Sequence, residues 1–299
     1  MGTEQQVIVS RERSTMVVTI NRPSALNSIT FDTVGELNNA LEQAGSDRSI
    51  RSVVLTASGE RAFCAGIDVK AVAKRDAEAD AGPLDAEQVE RVEQVERVER
   101  VDPVVAGFEN LHYSLSSVIR AIHRLAVPVI AAVNGHAIGA GFAFAAASDL
   151  RLGSVNATFA DGFVKRGISG CELGLSYFLP KIVGPAQAFD LMMTGRRVGA
   201  QEAFETGLIG ELTEPGELVE KALEKAAMLA ANAPMSITMT KEVMWANLQA
   251  PSLDHALAME SRTQSLTRLT ADAAEARAAF IEKRSPNFGV PSEPRPLGL

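Results

Sequence analysis

Short apolar runs alternate with amphipathic segments through the first two thirds of the chain. Residues 16–20 (MVVTI) and 52–56 (SVVLT) are apolar runs typical of buried strands. Between them, residues 30–44 carry apolar side chains at helix spacing, with Thr30 placed to cap the helix. A third strand is predicted at 127–133 (VPVIAAV), followed by an alanine-rich helix and a fourth strand. This alternation indicates an α/β domain.

The last third of the chain has a different pattern, in which helical segments are separated by glycine and proline. The predicted helices cover residues 185–194, 200–206, 215–232, 234–249 and 252–283. We therefore divide the chain into an α/β core of residues 1–195 and a C-terminal helical region of residues 196–299.

A charged segment interrupts the α/β core. In "VERVEQVERVERVDP" (89–103) valine recurs at every third residue, so the apolar stripe winds around a helix instead of staying on one face. Mixed charges at this spacing are typical of an exposed helix. The pattern predicts a solvated helical insertion spanning about 74–105.

One uncharged stretch, Leu125 to Ala147, is long enough to cross a bilayer. Pro128, Asn134 and three glycines lie near its middle, which favours a buried strand, a tight turn and a buried helix instead.

The overall charge excludes some classes of ligand. The 299 residues carry a net charge of -8, so no global basic field attracts nucleic acid or an anionic membrane, and an anionic ligand needs a local basic cluster. Cys64 and Cys171 lack the spacing of a metal site or a disulfide scaffold. The N-terminal residues show no apolar signal segment, and we expect a cytoplasmic protein without a metal.

Two glycine-containing turns follow predicted strands. They are "GERAFCAGIDVK" (59–70) and "AVNGHAIGAGFAF" (132–144). Small residues there leave backbone N–H groups free to point into a cavity. Two such donors converging on one point would form an oxyanion hole, which stabilises negative charge on a carbonyl oxygen. The glycine spacing alone favours two tight turns of an α/β fold over an oxyanion hole.

Five motifs in a fixed order resemble the crotonase superfamily, the enoyl-CoA hydratase/isomerase family. They are "TINRPSALNSIT" (19–30), "FCAGIDV" (63–69), "PVIAAVNGHAIGAGF" (128–142), "MTGRRVGAQEAFETGLIGEL" (193–212) and "AFIEKRSPNF" (279–288), and they span nearly the whole chain apart from the insertion. The resemblance implies a crotonase-like spiral of ββα units with a C-terminal helical trimerisation region. It also implies a coenzyme A thioester as substrate, no other cofactor, and a homotrimer or a dimer of trimers.

The resemblance also assigns the residues of a site. The two oxyanion-hole donors map to the N–H groups of Ile67 and Ala140; most relatives have glycine at the second position, and alanine keeps the N–H. The motifs further suggest contacts with the substrate or coenzyme A from Arg22, Ala25, Arg61, Ala65, Asp68, Lys70, His136 and Lys283. Each basic residue among them fits a solvated surface charge equally well, and Asp68 also fits an acid that fixes the first turn.

The two glutamates of the family's hydratases are absent. Their positions map to Ala143 and Phe163, and neither side chain can transfer a proton. This departure puts the ordinary hydration of a 2-enoyl-CoA in doubt.

A substitute acid is available further along, in "GISGCELGLSYFLPKIVG" (167–184). Glu172 resembles in position the catalytic aspartate of dienoyl-CoA isomerases and the nucleophilic aspartate of 4-chlorobenzoyl-CoA dehalogenase. It also fits a capping or first-turn acid of a helix over 174–181. Asp161 is the second candidate.

The leading hypothesis is an acyl-CoA enzyme in which Glu172 alone moves a proton on an enolate intermediate, which suits double-bond isomerisation better than hydration. Two alternatives stay open: covalent chemistry in which Glu172 attacks the acyl group, and a catalytically silent acyl-CoA-binding protein.

Overall fold

The computed structural model describes residues 5–68 and 103–289, with the side chains of the helix that begins at Pro103 described from residue 113 onward. Lys70 lies outside the described residues, as does the predicted insertion of about 74–105 apart from its last three residues.

Within the described residues the strands form two sheets. The larger sheet contains Val7–Glu12 (β1), Thr15–Ile20 (β2), Ser52–Ala57 (β3), Val129–Val133 (β5), Leu150–Ser154 (β7) and Glu211–Thr213 (β10); the smaller contains Ala62–Cys64 (β4), His136–Ile138 (β6), Thr158–Ala160 (β8) and Val198–Gly199 (β9). Their orders are β1-β2-β3-β5-β7-β10 and β4-β6-β8-β9. All pairs are parallel except β1 with β2 and β8 with β9.

Ten α-helices are present in the described part of the chain. They are Phe31–Ser46 (α1), Pro103–Arg124 (α2), Ala140–Ala147 (α3), Leu175–Val183 (α4), Pro185–Thr194 (α5), Ala200–Glu205 (α6), Leu218–Ala230 (α7), Pro234–Asn247 (α8), Leu253–Arg268 (α9) and Ala271–Glu282 (α10).

The chain alternates between the two sheets. The strand pairs β3–β4, β5–β6 and β7–β8 each place one strand in each sheet, and a helix follows each β5–β6 and β7–β8 pair. This repeat is the predicted spiral of ββα units, and the predicted α/β class is confirmed.

Burial on both faces explains why the strands of the larger sheet are continuous apolar runs. Every residue of β3 is buried. One face packs against α1, α2 and α3 in the main core, and the other against Leu218, Ala222 and Ala226 of α7. The predicted cap of α1 is confirmed, because Thr30 Oγ1 accepts the N–H of Thr33 at 3.2 Å.

The α/β core extends beyond the predicted boundary at residue 195. Strand β10 completes the larger sheet and α7 covers its second face, so the core reaches Ala230. The predicted helix at 252–283 is in fact two helices, since Thr270 ends one run and caps the next by accepting the N–H of Ala273 at 3.1 Å.

The stretch from Leu125 to Ala147 consists of β5, β6 and α3, as expected. Among the described residues, no helix combines the length and the apolar character needed to cross a membrane.

Candidate active site

The two glycine turns meet because the strands before them are neighbours. Strands β4 and β6 pair in parallel, with Ala62 opposite His136 and Cys64 opposite Ala137. The carboxyl ends of parallel strands lie at the same edge of a sheet, so the turns that follow Cys64 and Ile138 leave that edge side by side.

The first turn directs the N–H of Ile67 away from the neighbouring chain segment. Ile29 forms an isolated parallel bridge with Ile67: its N–H donates to the oxygen of Gly66 at 2.8 Å, and its oxygen accepts the N–H of Asp68 at 2.9 Å. Because the flanking residues make both bonds, the N–H of Ile67 points the opposite way. It has no acceptor among the described residues.

The second turn exposes the first N–H of a buried helix. Ala140 is the first residue of α3, where an N–H has no acceptor within the helix. Gly139 turns the chain into the helix with φ 56° and ψ -113°. Within the described residues the N–H of Ala140 has no acceptor, although Ala140 is almost completely buried.

Close backbone contact fixes the spacing of the two turns. A Cβ added at Gly141 would lie 2.3 Å from the oxygen of Cys64, and one added at Gly66 would lie 3.3 Å from the oxygen of Ile138. A methyl group has no room at Gly141, and the positive φ of 96° at Gly66 disfavours a side chain there, so the two donor-bearing segments form one closely packed unit.

Two asparagines secure this unit, although neither was among the predicted site residues. Asn27 Nδ2 donates to the oxygens of Ser58 at 2.9 Å and Ala62 at 2.7 Å. Asn134 Nδ2 donates to the oxygen of Ala57 at 3.1 Å. Both lie within the quoted motifs, so the motifs themselves were the signal that could have found them.

Most of the predicted contacts for substrate or coenzyme A surround the first turn. The N–H of Ala65 donates to Leu26, next to Ala25, at 3.1 Å. Arg61 is exposed and its Nη2 donates to the oxygen of Pro23 at 3.2 Å. Arg22 Nη2 lies 2.9 Å from Asp68 Oδ2, so this guanidinium contacts a carboxylate.

Two predicted contacts have other surroundings. His136 opens β6 and its Nδ1 lies 2.7 Å from Thr158 Oγ1. Lys283 is exposed and ends α10 in a left-handed conformation with φ 54°. The roles of both toward a ligand stay predictions.

The positions of the two missing glutamates are apolar and buried. Ala143 is fully buried in α3, one turn after Ala140. Phe163 is 6% exposed, and a Cβ added at Gly139 would lie 3.4 Å from its ring. The second turn is therefore lined on this side by a phenyl ring, which excludes water from the place of a carboxylate.

Asp161 is a buried acid close to the second turn. Asp161 is 2% exposed and its Oδ1 accepts the N–H of Phe163 at 3.0 Å, while its Oδ2 has no hydrogen-bond partner among the residues that the structure describes. A Cβ added at Gly170 would lie 2.7 Å from that Oδ2, so the loop that precedes α4 covers it. Burial raises the pKa of the Asp161 carboxyl, although backbone N–H donors, that of Phe163 first, oppose the shift.

Glu172 is half-buried in the same loop. Its main-chain N–H donates to the main-chain oxygen of Gly170 at 2.9 Å, and its main-chain oxygen accepts the N–H of Leu175 at 2.9 Å. Helix α4 begins at Leu175 with Gly174 as its N-cap. Glu172 therefore lies before the cap, and the alternative of a capping or first-turn acid was wrong.

Comparison with known proteins gives a consistent result. A family model described as enoyl-CoA hydratase/isomerase matches residues 10–109 and 109–291. A probable enoyl-CoA hydratase of Mycobacterium bovis is 37% identical over 295 residues, which cover 96% of this chain and 94% of that protein. The short-chain-enoyl-CoA hydratase of Clostridium acetobutylicum is 33% identical over 280 residues, which cover 93% of this chain and 95% of that one.

The fold is shared with solved structures as well. The crystal structure of enoyl-CoA hydratase from Bacillus anthracis matches 95% of this chain and 99% of its own, with a TM-score of 0.81 and 30% identity.

Proposed function

Because this chain belongs to the enoyl-CoA hydratase/isomerase family, we propose that its substrate is an acyl-CoA thioester. The thioester oxygen accepts hydrogen bonds from the N–H groups of Ile67 and Ala140, and the enolate formed when a proton leaves the α-carbon is stabilised there. The observation that carries this proposal is the pair of N–H groups that follow two adjacent parallel strands and have no acceptor within the described part of the chain.

The reaction is double-bond isomerisation or another proton transfer on carbon, rather than hydration. Hydration needs a placed water and a second carboxylate, whereas isomerisation needs one group that removes and returns a proton. The phenyl ring of Phe163 and the buried methyl group of Ala143 support this choice, because neither can hold or activate water.

Glu172 is the group that moves the proton, and Asp161 is the second candidate. The two acids belong to one unit, since Gly170 contacts the Asp161 carboxyl and accepts the N–H of Glu172. Half-burial of Glu172 leaves it open to a substrate. Burial raises the pKa of the Asp161 carboxyl, and its Oδ2 has no hydrogen-bond partner in the described part of the chain, so Asp161 stays a candidate for proton transfer.

Proton exchange tests this assignment. The protein is incubated in D2O with saturated and 2- and 3-enoyl-CoA thioesters, and deuterium entry at the α- and γ-carbons is followed by NMR. Loss of exchange in Glu172→Gln with retention in Asp161→Asn is expected. The reverse result assigns the proton transfer to Asp161 and contradicts the role of Glu172.

Two other activities have distinct outcomes in the same experiments. Tight thioester binding without any exchange favours a catalytically silent acyl-CoA-binding protein. Oxygen-18 from solvent entering Glu172 in a single turnover favours the covalent route, in which the carboxylate attacks the acyl portion and displaces a leaving group, and water then hydrolyses the covalent intermediate at the carboxyl carbon of Glu172.

We further propose a homotrimer or a dimer of trimers located in the cytoplasm, with coenzyme A entering only as part of the substrate. Large apolar side chains of the C-terminal helices support a partner that is a second copy of this chain: Leu253, Phe280 and Ile281 are 73%, 85% and 78% exposed. Sedimentation equilibrium measures the molecular mass of the assembly directly, and the mass of a monomer would contradict the proposal.

A further inference from the structure

We propose that Arg22 is a positioning residue: it holds Asp68, and through Asp68 it fixes the direction of the Ile67 N–H. The basic character of Arg22 suggested a contact with the phosphates of coenzyme A, and the positioning role replaces that contact. This inference rests on the proposed oxyanion hole.

The guanidinium of Arg22 is already engaged within the protein. Nη2 lies 2.9 Å from Asp68 Oδ2, and Nη1 donates to the main-chain oxygen of Ser28 and to Ser28 Oγ, the latter at 3.2 Å. Ser28 Oγ in turn lies 3.4 Å from Asp68 Oδ2. One arginine thus joins two segments that are 46 residues apart in the chain.

Arg22 is itself fixed at its backbone. Its N–H donates to Asn27 Oδ1 at 2.8 Å, and the amide nitrogen of Asn27 is bonded to the oxygens of Ser58 and Ala62. The guanidinium therefore projects from a segment that is tied to β3 and β4, which gives Asp68 a rigid partner.

Asp68 is well placed to transmit this constraint. It directly follows Ile67, and its own N–H donates to the oxygen of Ile29 at 2.9 Å. The bond from the Asp68 N–H and the ion pair of its side chain hold the peptide plane after Ile67, and the bond from the Ile29 N–H to the Gly66 oxygen at 2.8 Å holds the plane before it. With both neighbouring bonds in place, the peptide plane between Gly66 and Ile67 has little freedom to rotate. That plane carries the N–H of Ile67.

Moving the guanidinium of Arg22 from Asp68 to a phosphate would cost free energy. The side chains of Arg22 and Asp68 are only 20% and 19% exposed, so removing one partner leaves a half-buried charge with less compensation. A guanidinium can hold two acceptors in a fixed plane, which suits a positioning role better than a flexible lysine would.

The two roles predict opposite effects of changing Asp68. If Arg22 binds phosphate, Asp68→Asn releases the guanidinium and tightens coenzyme A binding. If Arg22 positions the turn, Asp68→Asn loosens Ile67 and weakens the hydrogen bond to the thioester oxygen. Arg22→Met has the same effect as Asp68→Asn in the second case, and the double variant loses no more than either single variant.

The measurement is the carbonyl stretching frequency of bound butyryl-CoA, labelled with carbon-13 at the thioester carbonyl and read by isotope-edited infrared spectroscopy. The dissociation constant of butyryl-CoA is measured by calorimetry. Exchange in D2O is compared for butyryl-CoA and for S-butyryl-N-acetylcysteamine, which lacks the nucleotide. Arg11→Met is the matched control, since it breaks an Arg–Asp pair of 3.4 Å that is exposed and remote from the turn.

We expect Arg22→Met and Asp68→Asn to reduce the carbonyl shift and to slow exchange by about tenfold to a hundredfold with both thioesters, at an unchanged dissociation constant for butyryl-CoA. Arg22→Lys keeps the charge but not the planar guanidinium, and it should recover part of the carbonyl shift. This variant takes the place of Arg22→Met in the comparison if Arg22→Met does not fold.

A full carbonyl shift with weaker butyryl-CoA binding in Arg22→Met, or tighter binding in Asp68→Asn, would overturn the positioning role in favour of a phosphate contact. Wild-type protein that binds butyryl-CoA without any carbonyl shift would instead refute the oxyanion hole, and the proposed function with it.

Discussion

Substituting Gly141 by alanine tests whether close contact between the two turns sets the geometry of the site. The added Cβ would lie 2.3 Å from the Cys64 oxygen and 2.8 Å from the Cys64 Cβ. An ordinary contact is 3.4 Å, so α3 and β4 must separate by about 1.1 Å. Gly141 does not have a positive φ, so alanine is acceptable to the backbone and the effect is purely steric.

The expected loss follows from this displacement. Gly141 is adjacent to Ala140, and Cys64 is three residues before Ile67, so the two donors move apart with their segments. A misplacement of about 1 Å in a catalytic arrangement can reduce the rate about a hundredfold. Overpacking of a core typically lowers the free energy of unfolding by about 1–3 kcal/mol, which is less than the net stability of about 5–15 kcal/mol typical of folded proteins, so we expect the variant to fold.

The assay is deuterium exchange of the thioester, with circular dichroism and urea unfolding to verify the fold. Gly35→Ala is the matched control: Gly35 is exposed in α1 and an added Cβ meets nothing within 4 Å. That control should keep full exchange and gain up to about 1 kcal/mol of stability. Folded Gly141→Ala protein with the exchange rate of the wild type would show that this contact does not set the positions of the two donors.

Three further predictions concern buried charges and thiols. Lys241→Met should lower the free energy of unfolding in urea by up to about 3–5 kcal/mol, because it removes the ion-pair partner of Asp149 at 2.7 Å in a pair that is 7% and 14% exposed, although the N–H groups of Val129 and of the Trp245 ring still donate to that carboxylate. A loss below about 1 kcal/mol would match an exposed pair and contradict this. Asp161→Asn should raise the melting temperature at pH 7, and this increase should disappear toward pH 4. Because the pKa of Asp161 is raised in the native state, ionisation of this carboxyl above its unfolded-state pKa of about 4 destabilises the native state of the wild type. An increase in melting temperature that is independent of pH would contradict the raised pKa. Iodoacetamide should modify Cys171, which is exposed, and spare Cys64, whose pKa burial raises to about 12; modification of Cys64 in the native protein, read by mass spectrometry, would contradict its burial.

The larger sheet was predictable from sequence because its strands are buried on both faces. The continuous apolar runs at 16–20, 52–56 and 127–133 all became strands. Strands β4, β6 and β8 have three residues each, which is too short for any periodicity to emerge. Their sheet nevertheless brings the two turns together, so the donors were found through the motifs rather than through strand prediction.

The surroundings of the charged residues could not be predicted in the same way. Arg22 was identified as a basic residue within a motif, but its partner Asp68 is determined by the bridge between Ile29 and Ile67. The burial of Asp161 likewise depends on Gly170, in a loop whose path is set by α4 and α5. Such contacts between distant segments follow from the packing of the fold and have no local signal.

The central claim is that the N–H groups of Ile67 and Ala140 hold a thioester carbonyl, and an infrared spectrum of the bound ligand tests it most directly. Ala140→Pro removes one donor at the first position of α3, where proline suits a helix, and Ala140→Gly keeps it. We expect labelled butyryl-CoA to absorb at a lower carbonyl frequency when bound to the wild type or to Ala140→Gly than in solution, and Ala140→Pro to move that frequency back toward the solution value. A bound thioester that absorbs at its solution frequency in the wild type would contradict the account.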